Sequence, residues 1–334
     1  MTQRLAPIRI PGLVVDPPVM LAPLASLTTP AMRILAEEAG CGLTFTEMVS
    51  APGLLRSQGK SQGKVRKLLA PSTAGRPFGI QLVGAGLEDM EQAARMAVQA
   101  GASVIDINMG CPARKVLKAG AGAALMQDPD QACRIVEAVR RGAGDVPVTA
   151  KIRTGWDEAS VNAPELSRAL ERSGVAWITV HGRTRRQVFS GPVDLETIGA
   201  VVASVSVPVI GNGGILDREF AEQMLAETSV AGIMVARGAL GNPWIFADLA
   251  AWVAGLPAPP PPSPADRARI MERHLDLYLR EEDPERTIRE MRKHLAWYAK
   301  GIAGAAHFRA RLFAIEDIDE LRRHIQSFAR MSPV

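Results

Sequence analysis

The stretch "VMLAPLASLTTP", Val19 to Pro30, decides between the two folds that alternating strands and helices allow. Its first residues form a short apolar run of the kind found in strands buried on both faces. The residues after that run contain no glycine. An open doubly wound sheet would place a Gly-rich turn there to seat a dinucleotide. Working outward, similar apolar runs occur at Leu43–Met48, Phe78–Val83, Ser103–Asn108, Val146–Ile152, Trp177–Val180, Val207–Gly211 and Gly232–Ala236. With Val19–Pro23 that makes eight predicted strands. Helical patterns such as "LEDMEQAARMAVQAG" and "DPDQACRIVEAVRRG" lie between them, the second opening on Asp128 as N-cap and Pro129 at the first helical position. Eight strand–helix units over about 250 residues predict an α/β chain folded as a (β/α)8 barrel.

Composition then shifts. "LPAPPPPSPAD" (Leu256–Asp266) reads as a stiff linker. The stretch from Arg267 to Arg330 is helical in pattern, with 14 Lys/Arg against 11 Asp/Glu. The expected organisation is a barrel over 1–255, a Pro-rich linker over 256–265 and a small all-helical domain over 266–334. With 47% apolar and 22% charged residues, the 334-residue chain has the balance of a globular protein. The opening "MTQRLAPIRIPGLVVD" lacks the apolar core of an export signal, and no apolar run approaches the roughly 20 residues of a membrane span. Cys41, Cys111 and Cys133 are too few and too scattered for a disulfide framework or a zinc site. A cytoplasmic chain without membrane or metal is expected, with a monomer favoured. A net charge of +4 leans weakly towards anionic partners.

In such a barrel the chemistry sits at the C-terminal strand ends. Those ends carry "APLA" (Ala22–Ala25), Glu47, Gln81, Asn108 with Cys111 beyond it, Lys151 and Arg153, His181 and Arg183, "GNGG" (Gly211–Gly214) and "ARG" (Ala236–Gly238). Small residues let backbone N–H groups approach an anion, and Arg237 adds a fork of donors. The loops after strands seven and eight are the usual phosphate site of this fold. A phosphorylated ligand is one reading; plain tight turns are the other. Lys151 lies in an apolar strand where an unpaired ammonium is costly, so it serves either a ligand or a structural ion pair. His181 is a site residue or a satisfied core histidine. Cys41 and Cys133 read as packing.

Taken together, "NMGCPARKVLKAGAGAALM", "AKIRTGW", "VHGRTR", "GNGGI", "GIMVARGALGNPWIF", "TEMVSA" and "RKHLAWYAKG" resemble the tRNA-dihydrouridine synthases, the bacterial B-type subfamily best. The resemblance implies an FMN-containing barrel followed by a helical RNA-binding domain. It also implies reduction of uridine in the D-loop of tRNA, with NADPH recharging the flavin. Carried over by motif, the flavin contacts are Pro23, Leu24, Ala25, Gln81, Lys151, His181, Asn212, Gly213, Gly214, Ala236 and Arg237, and Cys111 is the catalytic acid. The basic residues Arg114, Lys115, Arg153 and Arg183, with Asn108, are assigned to the substrate. The first loop departs from the family's Pro-Met-Ala-Gly-x-Thr-Asp, with Leu24 in place of Met and Thr29 in place of Asp; Gly214 and Ala236 stand where Asp and Gly are common.

The chemistry fits those residue types. Hydride delivered to C6 of uracil leaves charge over C5 and O4, and C5 must then take a proton. A thiol is mostly protonated near neutrality yet acidic enough to give that proton. Gly110 and Pro112 are expected to frame Cys111 on a mobile loop, Asn108 to bond the uracil edge, and Lys151 to favour an anionic flavin ring. The base must leave its stack to reach a barrel mouth.

In "DPERTIREMRKHLAWYAK", Asp283 and Pro284 open a helix. Its 3.6-residue period places Arg286, Arg289, Lys293, Trp297 and Lys300 on one face and Ile288, Met291, Leu295 and Tyr298 on the other. The first face suits an RNA backbone. "LLRSQGKSQGKVRKLL" (Leu54–Leu69) adds basic residues without an acid. The competing readings are a flavin barrel acting on a free pyrimidine or other small molecule, and a non-catalytic RNA-binding protein.

Overall fold

A computed structural model describes residues 4–56, 69–71, 73 and 75–331. Most of the basic loop, residues 57–68, lies outside the described residues. The chain opens with an antiparallel hairpin, β1 (Ile8–Ile10) and β2 (Leu13–Val15). Eight parallel strands follow: β3 (Val19–Leu21), β4 (Leu43–Phe45), β6 (Phe78–Val83), β7 (Val104–Asn108), β8 (Val148–Arg153), β9 (Ile178–His181), β10 (Val209–Asn212) and β11 (Gly232–Val235). A two-residue strand β5 (Val49–Ser50) pairs beside the end of β6. Pairing of β3 with β11 and of β4 with β6 closes the ring. The barrel read from the sequence is therefore present.

Two strands end two or three residues before their apolar runs do. The second stops at Phe45, and just beyond it the Thr46 hydroxyl donates to the Glu47 carbonyl at 2.8 Å. The first stops at Leu21, and Pro23 brings no N–H to continue the ladder. The hairpin was not foreseen, and it has a clear use. Ile8, Leu13 and Val15 pack with Met20, Phe45, Trp177, Ile210 and Met234, plugging the N-terminal end of the barrel with apolar side chains.

Helices α1 (Pro30–Glu38), α2 (Ala51–Arg56), α3 (Leu87–Gln99), α4 (Arg114–Lys118), α5 (Pro129–Ala143), α6 (Ala163–Arg172), α7 (Leu195–Ser204), α8 (Arg218–Thr228) and α9 (Trp244–Ala254) lie between and after the strands. Their starts follow the sequence signals. Asp128 caps α5 by accepting from the Gln131 N–H at 3.0 Å, with Pro129 first in the helix. The longer helices turn a small or apolar face to the strands, as Ala93, Ala94 and Ala97 of α3 show, whereas the short α4 buries none of its residues.

After residue 263, α10 (Pro264–Leu279), α11 (Pro284–Tyr298), α12 (Ala305–Leu312) and α13 (Ile318–Phe328) pack around their own apolar cluster. Ser263 and Asp266 form a reciprocal capping box at the start of α10. In α11, Ile288, Met291, Leu295 and Tyr298 are buried, the face that its period marks out. Ala31 and Leu35 of the barrel helix α1 belong to this second cluster. Arg273 also pairs with Glu38 at 2.5 Å across the junction. Full burial of a leucine contributes about 2 kcal/mol, whereas an exposed ion pair contributes at most about 1 kcal/mol. Apolar packing holds the two parts together.

Candidate active site

At the C-terminal end of the barrel, successive strands raise polar side chains to one level. The register sets Gln81 beside Asp106, Asp106 beside Thr149, and Asn108 beside Lys151. It likewise sets Arg153 beside His181 and His181 beside Asn212. Above them opens a cavity of about 620 Å³. Its wall includes Pro23, Leu24, Ala25, Gln81, Asn108, Cys111, Lys151, Arg153, His181, Arg183, Asn212, Gly213, Gly214, Ala236 and Arg237. Most of the residues singled out in the sequence therefore meet at one place. Four of the wall residues are cationic, and no Asp or Glu contributes to the wall. Such a cavity favours an anion.

The glycine loop after β10 is shaped for one. Gly213 and Gly214 both have positive φ, +108° and +74°. A methyl on Gly213 would lie 2.6 Å from the His181 ring, so the two pack without room for a side chain. The N–H groups of both glycines find no backbone acceptor among the described residues. Close by, Arg183 donates its Nε to the Gly191 carbonyl at 3.0 Å, while its buried Nη1 has no partner among the described residues. The exposed Arg237 guanidinium lies 5.0 Å from the Phe189 ring. These are unmatched donors facing a common space. A donor set of this kind suits an anion.

Deeper in the cavity, Lys151 donates to the Asn212 Oδ1 at 2.7 Å, and Asn212 donates to the Met234 carbonyl at 2.7 Å. Lys151 makes no ion pair among the described residues. Burial, with Arg153 adding repulsion and Asp106 opposing it, pushes its ammonium down to about 7. His181 is driven far below its ordinary range by burial first, then by Lys151, Arg153, Arg183 and Arg237. It is a neutral imidazole at pH 7, suited to hydrogen bonding and unsuited to acid catalysis.

Cys111 is half-buried on the cavity wall. Its loop is held by hydrogen bonds on both sides of the thiol. The Asn108 Oδ1 accepts from the Cys111 and Gly110 N–H groups at 2.9 and 3.2 Å. The Arg153 Nε donates to the Gly110 carbonyl at 2.7 Å, and the Ala123 N–H donates to the Cys111 carbonyl at 3.1 Å. The small-residue stretch that follows has a purpose too, since a side chain on Gly122 would meet the Cys111 carbonyl at 2.9 Å.

The same bonds show how Asn108 and Arg153 are used. Asn108 also donates to the Gln81 Oε1 at 2.8 Å, which leaves a single amide hydrogen for a substrate. Arg153 further donates to the Thr184 and Val188 carbonyls, both at 2.9 Å. Burial lowers Arg153 to about 10, still a cation at neutrality. Both side chains organise the loops around the thiol.

The remaining basic residues lie outside the cavity wall. Arg114 and Lys115 are exposed on α4, just beyond Cys111. On α11, Arg286 and Arg289 are exposed, as is Lys300 two residues past its end, and Arg286 pairs with Glu282 at 2.9 Å. Lys293 is held at the junction, donating to the Ser26 carbonyl at 3.1 Å and to Glu290 at 2.7 Å. Trp297 is half-buried with its ring 5.3 Å from that of His294. The continuous basic stripe expected on this helix is thus interrupted at its centre.

Sequence reasoning passed over Phe189, which is 49% exposed on the loop after β9. Its ring stands between Arg237 and Arg153, 5.0 and 5.9 Å away. An aromatic residue inside the polar loop "RTRRQVFSG" was the available signal. Asp106, buried beneath the cavity, was also missed. Cys41 is buried with its thiol pushed up to about 12 by burial, consistent with packing. No group of three or more His, Cys, Asp or Glu among the described residues could hold a metal, and no helix among them is long and apolar enough to cross a membrane.

Solved structures with similar folds include an amine oxidase, HisD, from Pseudomonas geniculata N1, with a TM-score of 0.58 at 14% identity over 75% of this chain and 49% of that one. An old yellow enzyme homologue from Zymomonas mobilis aligns with a TM-score of 0.54 at 16% identity, over 76% of this chain and 93% of that one. At such identities the likeness concerns the fold alone. Sequence relatives are nearer. A probable tRNA-dihydrouridine synthase of Rhodobacter capsulatus is 42% identical, covering 93% of this chain and 94% of its own. The tRNA-dihydrouridine synthase B of Xanthomonas campestris is 40% identical, covering 89% and 88% respectively. The sequence model of the dihydrouridine synthase (Dus) family matches residues 20–331, from the first barrel strand through the last helix, and the chain belongs to that family.

Proposed function

We propose that this chain reduces a uridine in the D-loop of tRNA to 5,6-dihydrouridine in the cytoplasm, with FMN as resident cofactor and NADPH as the source of electrons. The observation that carries the reading is a barrel-mouth cavity with four cationic side chains, no carboxylate in its wall, and one thiol on a pinned loop. Gly213, Gly214, Arg183 and Arg237 would hold the cofactor phosphate. Pro23, Leu24, Ala25, Gln81, Lys151, His181, Asn212 and Ala236 would surround the ring system. Bound FMN would supply the hydride that goes to C6 of the uracil.

The chain's own residues do the rest. Cys111 gives its thiol proton to C5 of the uracil. Asn108 and Arg153 hold the loop that presents it. Lys151, a cation below about pH 7, balances negative charge gathering beside it. The exposed residues Arg114, Lys115, Arg286, Arg289 and Lys300 lie outside the cavity, where a free pyrimidine would not need them. They suit a phosphate backbone, with 266–334 as the tRNA-binding part and Trp297 at its edge towards the barrel.

Cys111→Ala tests the assignment. The variant should keep its flavin and be reduced by NADPH at the parent rate. Reoxidation by tRNA should slow by a factor of roughly 100 or more, the usual scale for losing a general acid. Near-parent turnover of tRNA would return Cys111 to a packing role.

A further inference from the structure

Beneath the cavity, hydrogen bonds run head to tail through three side chains. The Cys111 N–H donates to the Asn108 Oδ1 at 2.9 Å. The Asn108 Nδ2 donates to the Gln81 Oε1 at 2.8 Å. The Gln81 Nε2 donates to the Asp106 Oδ2 at 2.7 Å, and the Thr149 hydroxyl donates to the Asp106 Oδ1 at 2.7 Å. Gln81, Asp106 and Thr149 are all 0% exposed. Every donor in the chain points towards Asp106.

We propose that Asp106 is a positioning residue for the catalytic thiol, its carboxylate fixing the direction of the hydrogen-bond chain that holds the Cys111 loop. An amide side chain can present either its oxygen or its nitrogen to a neighbour, and two amides in series can reverse together. An ionised carboxylate accepts only. With Asp106 ionised, Gln81 must turn its nitrogen inward, so its oxygen faces Asn108. Asn108 must then turn its own oxygen to the Gly110 and Cys111 N–H groups. Reversing the chain would set the Asn108 amide nitrogen against those two N–H groups, donor against donor, and release the loop. The inference rests on the function proposed above for the role of Cys111, and on geometry for the chain itself.

Asp106 is suited to stay ionised near neutrality without being permanently so. Burial raises it to about 6, opposed by the bonds from Gln81 and Thr149 and by the Lys151 charge on β8. These are the groups that face it from β6 and β8.

The test uses the purified holoprotein and two readouts. The first is amide hydrogen exchange across the peptide containing Gly110 and Cys111, corrected for intrinsic rates. The second is the rate of flavin reoxidation by tRNA against the rate of flavin reduction by NADPH. In Asp106→Asn the buried Thr149 hydroxyl still needs an acceptor, so the new amide turns its oxygen to Thr149 and its nitrogen to Gln81, reversing the chain. Exchange at Gly110 and Cys111 should rise, and reoxidation by tRNA should fall by roughly tenfold or more relative to flavin reduction by NADPH in the same variant.

Adding Thr149→Val removes the competing hydroxyl and lets the amide turn its oxygen to Gln81. The double variant should recover protection and reoxidation towards the parent. A packing role for Asp106 predicts the opposite, a double variant worse than the single. Parent-like exchange in Asp106→Asn, or a double variant no better than the single, overturns the proposal. Should Asp106→Asn fail to fold, the parent is read across pH instead. Its Gly110–Cys111 protection should fall as pH drops through about 6, and flat protection overturns the proposal. The exchange readout needs no substrate, so a parent that leaves tRNA unreduced refutes the function and leaves the chain's polarity to be judged on exchange alone.

Discussion

Gly213→Ala probes the phosphate cradle most directly. At φ +108° an alanine is strained whatever the space, and its methyl would lie 2.6 Å from the His181 Cδ2 and 3.0 Å from the Nε2. Such backbone strain costs on the order of 1–3 kcal/mol, and overpacking a tight site adds about 1 kcal/mol more. His181 is 7% exposed, so its ring has little freedom to retreat. The loop will instead relax in the free protein, and ligand binding must restore it. Roughly 2–4 kcal/mol then appears as lost affinity for FMN, a factor of about 30 to 700. Gly101 is the control. It has φ +86° with nothing within 4 Å of a methyl, and it lies at the far end of the barrel, before β7. Gly101→Ala should lower the unfolding temperature through strain alone and leave FMN binding intact. Quenching of flavin fluorescence on titration into apoprotein measures the affinity, with thermal unfolding run alongside. If the two variants bind FMN equally well, the loop after β10 does not hold the phosphate.

Two further outcomes follow from charge. Burial holds the Lys151 ammonium down to about 7, and an anion bound beside it would raise that value, so binding takes up a proton. FMN affinity should be full below about pH 7 and decline as pH rises through it, and Lys151→Met should flatten the profile. Equal affinity for the parent at about pH 6 and about pH 9 would refute this. Arg289→Glu combined with Lys300→Glu should weaken tRNA binding at low salt, reduce the slope of log Kd against log salt by about 2, and leave FMN binding untouched. Parent-like tRNA binding at low salt would show that these residues do not meet the RNA.

The barrel was legible because most strands are nearly continuous apolar runs and most strand ends carry a polar exception. Lys151 and His181 stood out for that reason. Cys111 stood out through its Gly and Pro neighbours, which carry no sign of the hydrogen bonds that hold its loop. One set of bonds that hold the loop is local, from Asn108 to residues two and three further on, but the other comes from Arg153, 43 residues beyond Gly110 in the chain and brought near it by the pairing of β7 with β8. Register, which only folding supplies, decides such contacts. Asp106 was invisible for a related cause: inside "SVIDIN" it reads as one acid in a strand, and its partners Gln81 and Thr149 come from the strands on either side. The helical period placed Lys293 on an open face correctly for an isolated helix. It carried no information about the Ser26 carbonyl that the barrel brings against it.

The shared packing of Ala31 and Leu35 with the C-terminal helices bears on how a long polymer would be read. On the function proposed above, the barrel mouth and the outer face of α11 would act as two jaws of one caliper, set by a common core and pinned by Lys293. A polymer gripped by the outer jaw can offer the inner one only what lies at the matching span along its own contour. Discrimination then becomes a matter of length and curvature, with the identity of neighbouring units left largely unread.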